Sequence, residues 1–206
     1  MALVILMRHG KAGNNVNRIL AGRELEFHLT EEGIEQVKEA AKHLRDAGIK
    51  AVYASPITRV RETAEIVCKE LSLDYVIDDR LIEVDMGRVT GLSYNEAMDR
   101  YGDIFSKFYE DKDPIIEELK IERFSNIKKR VDDMLRYIAE KHEDENVLLI
   151  THLDPIKAAI ANILELSGKA LFKLLIPNAS LTLLKHSSDY SLLALNVMDI
   201  SRYMKL

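Results

Sequence analysis

Four side chains suited to phosphate chemistry follow runs of apolar residues that predict buried strands. They are Arg8 and His9 after residues 2–7, Arg59 after residues 51–54, and His152 after residues 147–150. The carboxyl ends of parallel strands lie at one edge of a sheet, where open α/β proteins bind their ligands. A guanidinium group forms paired hydrogen bonds with phosphate oxygens, and an imidazole can act as a ligand, a base or a nucleophile. The pattern predicts an electropositive phosphate site.

The elements that must position these residues alternate between strand and helix. Hydrophobic periodicity predicts the order βαβαβ, a helical excursion, αβα and a final hairpin. This order is typical of an α/β fold, a three-layer α/β/α sandwich with a mostly parallel sheet. We expect one domain over residues 1–206, with a small helical flap at about 93–120 after the third strand.

Local signals place the boundaries of these elements. Thr30 predicts a helix start as an N-cap residue, and Ser55-Pro56 predicts another with serine as the cap. Pro155 predicts the start of the helix that follows the second histidine. The third strand is predicted at 73–77, and residues 11–23 are predicted to form a loop because glycine, asparagine and basic residues dominate there.

Composition narrows the classes of function. The formal net charge of −5 argues against a protein that binds nucleic acid or an anionic membrane surface. The single cysteine, Cys68, makes a disulfide framework or a cysteine-based zinc site improbable. The N-terminal apolar run is too short for a signal peptide, and no stretch is long enough to span a bilayer. A cytoplasmic protein is expected.

Motifs for metal-dependent phosphoryl transfer are missing from the sequence. It contains no P-loop pattern, no aspartate-rich magnesium motif and no HxH or DxH spacing. We therefore expect no metal, and we expect the chemistry to rest on arginine, histidine and carboxylate side chains.

Five segments in fixed order resemble the histidine phosphatase superfamily, the phosphoglycerate mutase-like proteins with an RHG signature (branch 1). Arg8-His9-Gly10 with Asn15 is similar to the RHG-x(4)-N signature. The other segments resemble the LTxxGxxQ, SPLxRxxxTA and LxExxxGxxxG patterns and the strand of the second histidine, and they lie at 29–36, 55–64, 81–91 and 150–152. The resemblance covers nearly the whole chain.

The resemblance implies a role for each matching residue. His9 would be the nucleophile that carries the phosphoryl group, and Arg8, Arg59 and His152 would bind its oxygens. Glu83 would be the general acid and base, with Asp85 as the alternative. Asn15 would help to hold the phosphoryl group. Further substrate contacts are expected at Lys11, Arg18, Arg23, Arg88 and Leu153.

Two departures from the family pattern leave roles open. Lys11-Ala12 replaces the Glu-Thr that often follows RHG, so Lys11 is either a phosphate contact or, as we slightly prefer, an exposed lysine. Leu153-Asp154-Pro155 replaces the Gly-Gly that often follows the second histidine. Asp154 could orient a histidine or cap the next helix, and we expect it to act as the cap.

Three functions are compatible with this sequence. We prefer a metal-independent phosphomonoester hydrolase for a small phosphorylated metabolite, without a cofactor. The alternative is a phosphoglycerate mutase that needs 2,3-bisphosphoglycerate, whose second phosphate could be held by Lys11, Arg18, Arg23, Arg61 or Arg88. A non-catalytic domain that binds a phosphorylated ligand is more distant. A homodimer is an open alternative to a monomer.

Overall fold

A computed structural model describes residues 2–24, 26–166 and 168–203, and its described part contains one six-stranded sheet. The strands are β1 Ala2–Arg8, β2 Ile49–Ala54, β3 Val76–Ile77, β4 Asn146–Thr151, β5 Leu181–His186 and β6 Tyr190–Val197. Their order in the sheet is β3-β2-β4-β1-β5-β6. The pairs along this order from β3 to β1 are formed by parallel strands, whereas β5 pairs antiparallel with both β1 and β6. The sheet is therefore mixed, and its parallel strands β1 and β4 are the ones that His9 and His152 follow.

Helices cover both faces of the sheet and complete the three-layer α/β/α sandwich. They are α1 Gly13–Asn17, α2 Glu31–Leu44, α3 Thr58–Leu71, α4 Tyr94–Tyr101, α5 Ile104–Glu110, α6 Pro114–Glu118, α7 Phe124–Lys141, α8 Leu153–Leu164 and α9 Lys169–Lys173. Alternate residues of β1 point to opposite faces. Ile5 and Met7 pack in the core with α2 and α3, whereas Val4 and Leu6 pack in the core with α7 and α8. Burial of β1 on both faces explains its uninterrupted apolar sequence.

α7 is an amphipathic helix rather than a membrane segment. Its buried residues recur at helical spacing, at Phe124, Ile127, Val131, Met134, Leu135 and Ile138. Within the described ranges, no helix is both long and apolar enough to cross a bilayer.

Several predicted boundaries differ from the structure. The predicted helix at Ser55-Pro56 begins at Thr58, because the Ser55 hydroxyl bonds to a histidine instead of capping the helix. The helix predicted from Pro155 begins two residues earlier, at Leu153. β3 is only two residues long, and the predicted loop at 11–23 contains the short helix α1.

The segment predicted as a flap contains three short helices. Each helix has an N-cap side chain that accepts a hydrogen bond from a backbone N–H two or three residues later. The N-cap residues are Ser93, Asp103 and Asp113. Ile104 and Phe108 of α5 belong to the same apolar core as α7 and α8. The three helices are thus attached to the sandwich by a continuous core.

Candidate active site

His9 lies immediately after β1, and its ring is held in one orientation. It is 2% exposed, and its Nδ1 lies 2.7 Å from the Gly10 carbonyl oxygen. A carbonyl can only accept a hydrogen bond, so Nδ1 carries the proton and Nε2 keeps its lone pair. Arg59 Nε donates to Nε2 across 3.2 Å. Burial and the positive charges of Arg59 and Arg8 lower the pKa of His9. The neutral ring therefore presents Nε2 as a nucleophile.

Arg59 lies in the first turn of α3 and is 1% exposed. Its Nη2 donates to the Gly22 carbonyl oxygen at 3.0 Å and to His152 Nδ1 at 3.2 Å. Burial lowers the pKa of Arg59 to about 10, so the group remains a cation at neutral pH. Within the described chain, Nη1 is buried without a hydrogen-bond partner. That unsatisfied donor is suited to a phosphate oxygen.

Arg8, the last residue of β1, provides the second guanidinium. Its Nη1 donates to the Ile176 carbonyl oxygen. Among the described residues, its Nε is also buried without a partner. Arg8 and Arg59 both line a cavity of about 390 Å³ that His9 and Glu83 share. The two arginines therefore give this cavity a concentrated positive charge.

His152 follows β4 and faces His9 with ring centroids 5.3 Å apart. Because its Nδ1 accepts from Arg59, its Nε2 carries the proton and donates to Ser55 Oγ at 2.8 Å. Burial and the neighbouring Arg59 lower the pKa of His152, which keeps the ring neutral. Ser55 is a positioning residue that the sequence analysis missed, since a serine before proline has the signature of a helix cap.

Glu83 brings a carboxyl group to the same cavity. Its Oε2 lies 3.9 Å from His152 Nδ1, and its Oε1 accepts from the Val84 N–H at 3.0 Å. Burial and the neighbouring negative charge of Asp154 raise the pKa of Glu83 to about 7. Asp85 instead pairs with Arg23 at 2.6 Å. This contact helps to lower the pKa of the Asp85 carboxyl. The geometry thus favours Glu83 over Asp85 as the acid.

Two side chains fix the loop that carries Glu83. Thr151 Oγ1 donates to the Leu81 carbonyl oxygen at 2.6 Å. Arg130 donates to the Arg80 carbonyl oxygen at 2.8 Å and to the Glu83 carbonyl oxygen at 3.4 Å. Arg130 is itself paired with Glu122 at 3.2 Å. The carboxyl group is therefore positioned by β4 and α7.

Asp154 is not the helix cap that we expected. His152 occupies the N-cap position of α8, and Asp154 lies in the first turn, where its Oδ1 accepts from the Tyr109 hydroxyl at 2.6 Å. Lys157 Nζ donates to the same hydroxyl at 3.1 Å. The spacing of Asp154 and Lys157 could have suggested a pair on one helix face. Tyr109 on α5 could not have been foreseen from that spacing.

Three of the predicted substrate contacts line the 390 Å³ cavity. They are Asn15, Arg18 and Leu153. Asn15 Oδ1 accepts from the Ala12 N–H at 3.0 Å and from Asn178 Nδ2 at 3.3 Å. The Arg18 guanidinium lies 4.8 Å from the centre of the Tyr94 ring. Asn178 also donates to the His9 carbonyl oxygen at 3.1 Å, and it too was missed from the sequence.

The other three predicted contacts lie outside this cavity. Lys11 Nζ pairs with Glu32 at 2.6 Å, and Arg23 pairs with Asp85 at the same distance. Arg88 is exposed and does not line the cavity. Lys11 instead contacts Glu32 at the start of α2, and the role of these three residues as substrate contacts stays a prediction. Within the described residues, no group of three His, Cys, Asp or Glu side chains could hold a metal ion.

Comparison with known proteins places this geometry in a family. The sequence model of the histidine phosphatase superfamily (branch 1) matches residues 4–197. The chain is 36% identical to a 2,3-bisphosphoglycerate-dependent phosphoglycerate mutase of Thermoplasma acidophilum over 184 residues, 89% of this chain and 87% of the relative. It is 27% identical to phosphoserine phosphatase 1 of Hydrogenobacter thermophilus over 180 residues, 87% of this chain and 84% of the relative.

Solved structures share the fold. YhfR of Bacillus stearothermophilus superimposes with a TM-score of 0.83 at 25% identity, covering 94% of this chain and 96% of that one. A phosphoserine phosphatase mutant of Entamoeba histolytica gives a TM-score of 0.84 at 22% identity, over 96% of this chain and 98% of that one, and so supports the fold alone. The chain is an enzyme that belongs to branch 1 of the histidine phosphatase superfamily.

Proposed function

We propose that the chain hydrolyses a small phosphomonoester through a covalent phosphohistidine on His9. The observation that carries this proposal is the orientation of the His9 ring. Its Nδ1–H is tied to the Gly10 carbonyl, which leaves Nε2 unprotonated in a cavity lined by two arginines. The same carbonyl stabilises the positive charge that the ring acquires when Nε2 bonds to phosphorus.

The first step transfers the phosphoryl group to the enzyme. The Arg59 Nε–H first gives up its hydrogen bond to Nε2 and turns to a phosphoryl oxygen. The freed Nε2 lone pair then forms the N–P bond while the bond from phosphorus to the ester oxygen breaks. Glu83 gives its proton to the departing oxygen, and the substrate leaves as an alcohol. The unsatisfied N–H groups of Arg8 and Arg59 bind the phosphoryl oxygens, whose charge spreads in the transition state.

The second step regenerates the enzyme. The Glu83 carboxylate takes a proton from water, and the resulting hydroxide attacks phosphorus. The N–P bond breaks, its electron pair returns to Nε2, and inorganic phosphate leaves. Arginine and histidine side chains supply the positive charge for both steps, so we expect turnover in the presence of EDTA.

Replacement of the nucleophile tests this mechanism. His9→Ala should abolish both the release of phosphate from p-nitrophenyl phosphate and acid-labile labelling of the protein by a ³²P-labelled phosphomonoester. The matched control is His43→Ala on the outer face of α2, whose ring contacts only Glu39 among the ion pairs of the described chain. Turnover by His9→Ala at the wild-type rate would contradict the proposal, and it would also argue against a role of His9 as a mere phosphate ligand.

A phosphoglycerate mutase is the second candidate, favoured by the 36% identical mutase of Thermoplasma acidophilum. A mutase must also bind the second phosphate of 2,3-bisphosphoglycerate. Of the five cations expected to do this, Arg18 lines the cavity, whereas Lys11, Arg23, Arg61 and Arg88 do not. Lys11 and Arg23 are paired with carboxylates. The residues present therefore fit this cofactor poorly, which supports hydrolysis.

An assay with 3-phosphoglycerate separates the two activities. We expect slow phosphate release that 2,3-bisphosphoglycerate does not accelerate. Isomerisation to 2-phosphoglycerate that depends on the bisphosphate and far exceeds hydrolysis would show that the mutase assignment is correct. Phosphate binding without turnover or labelling on any substrate would indicate a non-catalytic domain.

A further inference from the structure

We propose that the substrate of the hydrolase has an apolar leaving group, an aromatic or medium-chain alkyl alcohol, which fills a second cavity beside the phosphoryl site. The inference rests on the proposed function, because it concerns the alcohol that Glu83 protonates. It departs from the substrates named for the relatives, phosphoglycerate and phosphoserine, which carry charged groups close to the phosphate.

The second cavity adjoins the phosphoryl site and shares part of its wall. It has a volume of about 610 Å³, within the range of small-molecule pockets. Arg8, Leu153 and Asp154 line both cavities, and so do Arg18 and Tyr94. On our proposal, the alcohol of a phosphate bound at Arg8 extends along this shared wall into the second cavity.

Apolar side chains dominate the wall of the second cavity. Tyr94 of α4 and Phe105 of α5 are stacked with ring centroids 4.3 Å apart. Further apolar side chains of the wall include Leu20, Met86, Ile104, Phe108, Phe172 and Leu175. Such a surface gains binding free energy from each methylene or ring carbon that it removes from water.

The rim of the cavity leaves large apolar side chains uncovered. Phe172 is 37% exposed and Leu175 is 77% exposed. Both follow Gly168 in the segment containing α9, and both line the cavity. A ligand body that emerges from the phosphoryl site would cover this rim, which explains why apolar residues occur there.

The buried charged groups of this cavity are hydrogen-bonded within the protein. Asp154 and Lys157 are 5% and 4% exposed, and the Tyr109 hydroxyl connects them through hydrogen bonds of 2.6 and 3.1 Å. A carboxylate on the leaving group would have to compete with Asp154 for Lys157, so this buried part of the wall favours an uncharged group. The cations Arg18 and Lys173 also line the cavity, but both are exposed, so water screens their charges.

A series of alkyl phosphates tests the inference. Primary alcohols from ethyl to octyl leave with similar intrinsic ease, so differences in kcat/KM report burial of the chain. Each fully buried methylene contributes about fourfold, so the four additional methylenes of hexyl phosphate set an upper limit of about 250-fold over ethyl phosphate. Because burial of the chain is partial, we expect an increase of at least about tenfold. Hexyl phosphate should also exceed phosphoserine and 3-phosphoglycerate.

Variants at the rim sharpen the test. In the double variant Phe172→Gln and Leu175→Gln, the rise of kcat/KM with chain length should become shallower by at least about threefold between ethyl and octyl phosphate. The control is Val76→Gln, a change at an exposed apolar residue of β3 that does not line the cavity, and it should retain the wild-type rise.

The outcomes separate the inference from the proposed function. A kcat/KM that does not rise with chain length, or that is highest for phosphoserine or 3-phosphoglycerate, overturns the inference. If His9 is still labelled in that case, the proposed function stands. No turnover and no labelling with any of these phosphomonoesters would overturn the proposed function itself.

Discussion

Glu83 connects the electrostatics of the site to its chemistry. An ordinary glutamate is ionised at neutral pH and has no proton to give to a departing alcohol. Here burial and the charge of Asp154 raise its pKa to about 7, so a large fraction is protonated at physiological pH. A group with this pKa can serve as the acid in the first step and as the base in the second.

The pH profile should show the ionisation of Glu83. We expect kcat/KM for an alkyl phosphate to fall as the pH rises above about 7, because the acid form is lost. Glu83→Gln should lower kcat by roughly 10²–10⁴-fold for alkyl phosphates. The loss should be smaller for p-nitrophenyl phosphate, whose leaving group needs less protonation. Equal losses on both substrates would contradict a role as general acid.

Asp154 should determine the pH at which kcat/KM falls on the alkaline side of that profile. Asp154→Asn removes the neighbouring charge that raises the pKa of Glu83, so the alkaline limb of kcat/KM should move to lower pH. The control is Asp132→Asn, which removes an exposed carboxylate from α7 and should leave the limb in place. A loss of activity with an unchanged limb would mean that Asp154 acts only through packing.

At the scale of elements, the N-terminus of α2 supports the loop that follows β1. Gly33 lies against the backbone of Lys11, and a Cβ there would overlap the Lys11 carbonyl. Gly10 is equally constrained, since a Cβ would approach the Gly33 carbonyl oxygen to 2.6 Å. The loop from His9 to Asn15 can therefore lie close to α2 only with glycine at both positions.

Gly33→Ala tests this close approach. Alanine normally stabilises a helix relative to glycine by about 0.5–1 kcal/mol, yet here we expect destabilisation of about 1–3 kcal/mol because the side chain is overpacked. Chemical denaturation measures the change, and kcat should fall as the His9 loop shifts. Glu35→Ala is the control, because it places an alanine on the exposed face of the same helix and should change the free energy of unfolding by less than about 0.5 kcal/mol. A stabilised Gly33→Ala would contradict this explanation.

The sequence predicted the strand ends better than the contacts between elements. The apolar runs correctly predicted that the residues after them share one edge of the sheet, because topology fixes where parallel strands end. These residues are Arg8, His9, Arg59 and His152. The partners of Lys11 and Arg23 were missed, since a cation near a site can pair with any carboxylate that the fold brings close. Tyr109 and Asn178 were missed because their contacts span 45 and 169 residues.

At the scale of the whole molecule, the buried acid should lower stability at neutral pH. The pKa of Glu83 rises from 4.5 in the unfolded chain to about 7 on folding, so the folded state binds more protons between these values. The free energy of unfolding therefore decreases as the pH rises through this window. Below pH 4.5 the carboxyl is protonated in both states and the effect disappears.

Glu83→Gln should remove this dependence. We expect the variant to gain stability relative to the wild type between pH 4.5 and 8, by up to roughly 3 kcal/mol at pH 8. Urea denaturation at pH 4.5 and at pH 8 measures the difference. A gain that is equal at both pH values would show that packing, rather than ionisation, is responsible. Glu39→Gln, an exposed change on α2, should show no gain of this size.

The separation of the phosphoryl cavity from the second cavity has a consequence for how the substrate of such an enzyme can change in evolution. His9 and His152 extend from the central strands β1 and β4, and Arg59 extends from α3, so changes to them disturb the sandwich itself. Seven of the residues that line the second cavity lie on the short helices α4, α5 and α9. If this cavity holds the alcohol, as we propose, mutations on these helices should exchange one alcohol for another without altering the residues of phosphoryl transfer. Selection could then act on the two halves of the site separately, and relatives with this scaffold are indeed named for different substrates.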